Sequence, residues 1–171
     1  MVIKLAAGNI FVGAFGGTSG TNGKVNMGRA FTFNAKPTAL RVWYKGNVGS
    51  SDKGRIFVCL TNMTKAGCTY HVVNTGDIDK TTFSPDEEFL YTNRNDPSTL
   101  EGHIIGYGDL LIEQSQSSWT SVDIPITYRD KYASEKPNVL ILTASASYLG
   151  DYFKGSTDSN LYLDDIEFIY E

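Results

Sequence analysis

The stretch that decides the fold is the tail, Gly155–Glu171, which reads GSTDSNLYLDDIEFIYE. It opens with turn formers, because Gly, Ser, Thr, Asp and Asn tolerate or locally stabilise non-extended backbone. Leu161 and Leu163 then share one face of a strand. After Asp164–Asp165 the apolar residues change parity: Ile166, Phe168 and Tyr170. Side chains of a strand alternate faces, so this change predicts a bulge or strong twist at the aspartates, or a strand buried on both faces.

Asp164 and Asp165 admit three interpretations. They are a polar interruption at a strand bend, or one carboxylate binds a structural Ca²⁺, which prefers hard oxygen ligands. Acid–base catalysis is the third, but it needs both groups to converge on one substrate. Neighbours on a strand point to opposite faces, which disfavours that third interpretation.

The composition favours one all-β domain. The 171 residues include ten Tyr, nine Phe and 17 Gly, a combination typical of aromatic strands joined by glycine turns. The formal charge of −4, without a long basic run, argues against a nucleic-acid partner. No apolar run reaches the roughly 18 residues that a membrane span needs.

The cysteines and histidines do not define a site. Cys59 and Cys68 could close a hairpin as a disulfide or remain separate thiols. Together with His71 and His103 they show no zinc-binding spacing. Neither histidine has a visible serine, cysteine or carboxylate context, so a nucleophilic triad is unsupported.

The clearest strand covers residues 38–45, with Leu40, Val42 and Tyr44 on an apolar face. The opposite face carries Arg41, Trp43 and Lys45. Residues 55–63 are apolar on both faces, which predicts a central strand.

Further strands are predicted at 104–114, 119–128 and 138–147. In the second of these, alternate positions are apolar: Val122, Ile124, Ile126 and Tyr128. Trp119 is expected to plug the end of the core, and residues 64–103 to form a long insertion of loops and short strands. Many strands without an amphipathic helix predict a two-sheet antiparallel β-sandwich.

Six blocks of sequence, in order along the chain, resemble the putative carbohydrate metabolism domain family. They are Ala6–Phe15, Gly28–Phe31, Lys36–Lys45, Ile105–Asp109, Trp119 with Ile124–Tyr128, and Gly155–Ser156 with Leu161–Ile166. Residues 46–54 depart from the family pattern, and residues 64–103 carry no family signature.

The resemblance implies a jelly-roll fold and association with glycans, rather than a demonstrated reaction. It also implies a secreted or cell-surface, outer-membrane-associated protein of Bacteroides type. We expect residues 1–171 to form a single jelly-roll domain, the C-terminal part of a longer protein. Related carbohydrate-binding jelly rolls often hold a structural Ca²⁺ through an aspartate of the last strand, which makes Asp164 the candidate metal ligand.

Four residues are candidates for binding a sugar: Arg41, Trp43, Tyr148 and Tyr152. Sugars stack their C–H faces on aromatic rings while polar side chains take the hydroxyls. If the alternate residues of strand 38–45 face the core, Trp43 faces outward and needs either a ligand or a covering loop. Tyr148 and Tyr152 lie in a loop beside Gly150, where they contact a sugar or anchor the loop into the sandwich end.

These observations favour a non-catalytic domain that binds a poly- or oligosaccharide, beside neighbouring domains of the same protein. A structural or adhesin-like, protein-binding domain of a surface assembly is the alternative. A glycan-cleaving enzyme would need convergent carboxylates about 5–10 Å apart, or a cluster of Tyr, His and Arg in a groove, and the sequence shows no such set.

Overall fold

The computed structural model describes residues 8–19, 22–33, 35–64, 70–74, 85–91 and 96–170. Within these ranges the chain forms thirteen strands: β1 Asn9–Phe11, β2 Gly13–Ser19, β3 Asn22–Met27, β4 Arg29–Ala30, β5 Ala39–Asn47, β6 Gly54–Met63, β7 Tyr70–Asn74, β8 Phe89–Tyr91, β9 Leu100–Ile112, β10 Gln116–Pro125, β11 Thr127–Tyr128, β12 Val139–Ser145 and β13 Asn160–Ile169. The described helical segments are three short 3₁₀ turns, at Pro97–Thr99, Asp130–Tyr132 and Gly150–Tyr152. None of them has the length to cross a membrane.

The described strands form three antiparallel sheets. The largest has the order β1-β12-β6-β9-β11, with β4 added to β12 and β8 added to β9. A second sheet, β10-β5-β13, packs against it and completes the β-sandwich predicted from the sequence. A third sheet, β2-β3-β7, was not expected as a separate sheet, although short strands were expected within residues 64–103, where β7 lies.

The sandwich core lies between the two larger sheets. The smaller sheet contributes Leu40, Val42 and Ile124, each at most 1% exposed. These meet Ile56, Val58 and Leu60 of the large sheet. The expected alternation along β5 and β10 is therefore confirmed.

Strand β6 is buried on both of its faces. Its odd-numbered residues, Phe57 and Cys59, join a second apolar cluster with Met27 of β3 and Ile141 of β12. The third sheet thus contributes to covering the face of the large sheet opposite β5. The central position predicted for this strand is confirmed, since β6 pairs with β12 on one side and β9 on the other.

Only one of the two cysteines lies in the described part of the chain. Cys59 is a fully buried free thiol, and its burial raises the pKa of the thiol well above the usual range. Cys68 lies outside the described residues.

The tail strand contains the bulge that its sequence predicts. Asp164 pairs with Trp43 and Glu167 pairs with Arg41, so two residues of β13 oppose one residue of β5. Asp165 adopts a φ of 45°, the left-handed conformation that accommodates the extra residue. Because of the bulge, residues before and after it pack on the same core: Leu161, Leu163 and Phe168.

Gly28 marks a close approach of two chain segments, between β3 and β4. Its φ is 102°, and a Cβ placed there would lie 2.8 Å from Cγ1 of Val139. Only glycine fits both conditions without strain.

Candidate functional site

The sheet β10-β5-β13 turns one face to the core and the other to solvent. We call the solvent side the outer face, and define it by eight side chains: Trp119 and Asp123 of β10, Arg41, Trp43 and Lys45 of β5, and Tyr162, Asp164 and Glu167 of β13. Directly paired residues in antiparallel strands share a face, so the register of the three strands brings this set together.

One half of the outer face is aromatic. Trp43, Trp119 and Tyr162 are 39%, 42% and 55% exposed. The Lys45 ammonium lies 4.9 Å from the centroid of the Trp119 ring and 5.4 Å from that of Tyr162. Trp43 lies between Ser121 and Asp164 on the flanking strands. Three rings therefore lie on three adjacent strands, and two of them flank one cation.

The other half is ionic. Arg41 donates to both carboxylate oxygens of Asp123, with Nε–Oδ1 and Nη2–Oδ2 distances of 2.7 and 2.8 Å. Its Nη1 lies 3.4 Å from Oε1 of Glu167. Hydrogen bonding to Arg41 lowers the pKa of the Asp123 carboxyl, and the same contact raises the pKa of the guanidinium. Arg41 thus ties all three strands together across the outer face.

Trp119 corrects one prediction. It was expected to plug the core end, but it is exposed on the outer face beside Lys45. The register of β10 shifts between Gln116 and Thr120, which displaces this end of the strand from regular pairing. Because Ile124 faces the core, alternation along β10 places the odd-numbered residues, including Trp119, on the outer face.

Tyr162 was not recognised as a candidate from the sequence. Its neighbours Leu161 and Leu163 pack toward the core, so alternation places Tyr162 on the outer face. The signal that finds both Trp119 and Tyr162 is the same period of two that correctly placed Arg41 and Trp43.

Tyr148 and Tyr152 belong to a different part of the molecule. They follow β12, a strand of the large sheet, and the backbone N–H of Tyr148 donates to the carbonyl of Lys53 at 2.8 Å. Tyr148 is 40% exposed and Tyr152 is half-buried. The structure therefore brings Arg41 and Trp43 together, and places the two tyrosines in the loop at the end of the sandwich.

A half-buried carboxylate, that of Asp52, holds that loop in place. Asp52 Oδ2 accepts hydrogen bonds from the hydroxyls of Ser147 and Ser159, both at 2.6 Å, and from the backbone N–H of Ser156 at 2.9 Å. Asp52 lies in the connection from β5 to β6, and the serines lie in the connection from β12 to β13. One side chain thus joins the two crossings between the packed sheets.

Asp164 does not sit in a metal cage formed by the described side chains. Its Oδ1 accepts a hydrogen bond from the backbone N–H of Asp165 at 2.9 Å, which stabilises the bulge. Across the described residues, no three His, Cys, Asp or Glu side chains converge in a way that could hold an ion. Calcium normally takes six to eight oxygen ligands, which this arrangement does not supply. Calcium at Asp164 stays a prediction.

A second polar cluster involves His103 of β9. His103 Nε2 lies 2.8 Å from Glu135 Oε2, which also accepts a hydrogen bond from Asn62 at 2.7 Å. The imidazole stacks on Tyr132 at 4.1 Å, and the Tyr132 hydroxyl donates to Glu88 at 2.6 Å. Hydrogen bonds from Asn62 and His103 lower the pKa of Glu135, and those from Lys131 and Tyr132 lower the pKa of Glu88. Both carboxyls are thereby held ionised.

A shallow cavity of about 320 Å³ opens at the edge of the sandwich, between β1, β12 and β13. Aliphatic and small polar residues line it, among them Ile10, Ala144, Leu161 and Asn160. It has no aromatic lining, unlike the outer face.

Two solved structures share this fold, each described as a putative glycoside hydrolase. The structure from Bacteroides thetaiotaomicron VPI-5482 has 18% identity and a TM-score of 0.58, over 96% of this chain and 47% of its own. The structure from Bacteroides vulgatus ATCC 8482 has 19% identity and a TM-score of 0.61, over 95% of this chain and 64% of its own. The chain therefore spans about half of the first of these proteins and less than two thirds of the second.

No functionally curated protein matches the sequence. The family model of the putative carbohydrate metabolism domain matches residues 1–169, nearly the whole chain. This agrees with the resemblance carried by the six sequence blocks. The chain belongs to the putative carbohydrate metabolism domain family.

Proposed function

We propose that this domain binds a poly- or oligosaccharide across the outer face and does not itself cleave it. The observation that carries the proposal is the set of three exposed aromatic side chains on one sheet face, Trp43, Trp119 and Tyr162. Its membership of a carbohydrate-related family supports the same conclusion.

The chemistry of the face suits a sugar. A pyranose offers an apolar C–H surface that packs on an aromatic ring, and hydroxyls around its rim that need hydrogen-bonding partners. Trp43 supplies a ring at the centre of the sheet, with Ser121 on one side and Asp164 on the other. The hydroxyl and the carboxylate flank the ring at the positions where the rim of a stacked sugar would lie.

The face is also preorganised. β5 is the central strand of its sheet, and its opposite side is sealed by Leu40 and Val42 in the core. Arg41 of β5 also forms a bidentate ion pair with Asp123 of the neighbouring strand β10. A ligand that meets a rigid surface does not have to order it, so less binding free energy is lost on association.

The carboxylates of the site favour binding over hydrolysis. Glycoside cleavage needs a carboxylic acid that holds its proton until the bond breaks, together with a second carboxylate. Arg41 instead lowers the pKa of Asp123, so this side chain is an anion at neutral pH. Glu88 and Glu135 in the His103 cluster are held ionised in the same way.

Affinity gels and a glycan array with purified protein test the proposal. Trp43→Ala and Trp119→Ala are expected to abolish retardation by any polysaccharide that retards the wild type. Tyr148→Ala is the matched control, because Tyr148 is as exposed as Trp43 but lies at the sandwich end. Binding that survives both tryptophan variants would place the site elsewhere, and loss in Tyr148→Ala alone would move it to the loop. If the wild type binds no glycan, the function is wrong.

A second candidate function is contact with protein. Phe33 and Tyr170 are 62% and 41% exposed beside the ring cluster of Phe31 and Phe168. Both solved relatives are longer than this chain, which supports the proposal that a neighbouring domain covers these rings. In a longer parent protein, Phe33→Ser is expected to separate one thermal transition into two; an unchanged transition contradicts this candidate.

We propose also that the domain acts at the cell surface or outside the cell. The support is the same as for the glycan: a carbohydrate-related family and two Bacteroides structures of the same fold. Protease treatment of intact cells of the source organism is expected to remove the domain. A protected domain in intact cells, cut only after lysis, would contradict this location.

A further inference from the structure

We infer that the glycan bound on the outer face is anionic, and that the Lys45 ammonium, placed between the Trp119 and Tyr162 rings, recognises its acidic group. The inference rests on the proposed function, because it concerns the same face. It goes beyond that function by naming the chemical class of the ligand, a sugar bearing a carboxylate or a sulfate.

Lys45 is a cation without an acidic partner in the part of the chain that the structure describes. Its contacts within the described residues are the two aromatic rings, at 4.9 and 5.4 Å, and it forms no hydrogen bond or ion pair there. Arg41 lies on the same face of β5, four residues before Lys45. It differs sharply, since its guanidinium forms ion pairs with both Asp123 and Glu167. The outer face thus contains one neutralised cation and one whose charge is available.

The two rings make that charge more effective. An ammonium against aromatic faces loses part of its hydration while keeping its charge, and the rings attract it through their quadrupoles. A partly desolvated cation attracts an anion more strongly than one in open water, because the effective dielectric constant is lower. The rings also limit where the flexible lysine side chain can go, which fixes the place that an anion must occupy.

The spacing fits an acidic sugar. Residues 43 and 45 are two positions apart on one face of a strand, which places their Cα atoms about 7 Å apart. A pyranose stacked on Trp43 can therefore direct an acidic substituent to Lys45. The residue opposite Lys45 on β13 is Tyr162, so no carboxylate is paired with the lysine across this strand.

The charges elsewhere on the face would orient the ligand. Asp123 and Glu167 lie with Arg41 at the end of the outer face that is remote from Lys45, and Asp164 lies beside Trp43. These carboxylates repel an anionic group placed near Arg41, whereas the Lys45 ammonium attracts it to the opposite end of the outer face. The acidic group is therefore expected at the Lys45 end, with neutral hydroxyls toward Asp164.

The test compares glycans that differ only in charge. Polygalacturonate is measured beside its carboxyl-reduced form, and dextran sulfate beside dextran, by affinity electrophoresis and calorimetry at low and high salt. The wild type is expected to bind at least one anionic member about tenfold or more tightly than its neutral counterpart, as for a charge-assisted contact. Lys45→Met is expected to remove this preference and Lys45→Arg to keep it. The carboxylate and sulfate arms show which anion is recognised.

The outcomes separate this inference from the proposed function. Equal affinity for charged and neutral forms, or a preference that survives Lys45→Met, overturns the anionic ligand, while loss of binding in Trp43→Ala keeps the glycan site. Binding of the anionic forms that Trp43→Ala does not weaken indicates general ion exchange and overturns the inference as well. If the wild type binds neither charged nor neutral glycans, the proposed function itself fails.

Discussion

β5 and β6 are each flanked by two partners at the centre of the two packed sheets, yet they have opposite surroundings. Every residue of Ile56–Thr61 in β6 is buried, because its sheet is covered on both sides. β5 is covered on one side, so Leu40 and Val42 are buried while Trp43 is exposed. The apolar residues of β6 are explained by packing. The large aromatic side chain on the open face of β5 is not, which is why we assign function to that face.

The largest effect is expected in the strand buried on both sides. Leu60→Ala in β6 removes a side chain that is fully buried in the core. Such a truncation costs about 2–5 kcal/mol of the free energy of unfolding, from lost transfer energy and the cavity left behind. Urea denaturation followed by fluorescence measures it. A loss no larger than that of an outer-face variant would contradict the contrast between the two strands.

An intermediate effect is expected in the connection between β5 and β6, where Asp52 is fastened by three serines. Asp52→Asn is expected to lower the free energy of unfolding by about 1–3 kcal/mol, the usual cost of weakening several hydrogen bonds to a partly buried charge. Asp158→Asn, an exposed aspartate of the loop that carries these serines, is the matched control. An equal loss of unfolding free energy in both variants would show that the Asp52 carboxylate does not hold the two connections together.

The same carboxylate gives a pH dependence whose sign can be stated. Burial raises the pKa of Asp52, but hydrogen bonds from Ser147, Ser159 and two backbone N–H groups outweigh it and lower the pKa below its ordinary 3.8. The contribution to stability is therefore fully present above the unfolded-state pKa and is lost as the pH falls through the folded-state pKa. Denaturation below about pH 4 should show a steeper loss for the wild type than for Asp52→Asn.

The smallest effect on stability is expected on the open face. Trp119→Ala removes an exposed ring and its contact with Lys45. Exposed contacts of this kind contribute below about 1 kcal/mol, so the unfolding midpoint should hardly move. The same variant is expected to lose glycan binding. A strong destabilisation would mean that Trp119 supports the fold, and would weaken its assignment to the site.

The strand order of the sandwich follows from local patterns only in part. Alternation correctly placed Leu40 and Val42 inside and Trp43 outside, because a strand period of two is a short-range property. The same rule, applied to β10, would have placed Trp119 on the outer face. The error came from treating a large aromatic at the start of a strand as a core plug, although the residues after it already fixed the side.

Other features have no local signal at all. His103 meets Glu135 across 32 residues, and Asp52 meets Ser147 and Ser159 across 95 and 107 residues. A single sequence gives no indication of which distant polar side chains will be brought together by the packing of two sheets. Short strands were expected where β7 lies, but its pairing with β3, more than forty residues away, was missed for the same reason.

The bulge at Asp165 has a consequence for how the tail can change in length. Removing one of the two residues that oppose Val42 would restore regular pairing, while Glu167 would stay opposite Arg41 and Phe168 would stay on the core side. The segment before the bulge, with Tyr162, would keep its orientation. A related chain that is one residue shorter at this position could therefore present the same acidic end and the same lysine end of the surface.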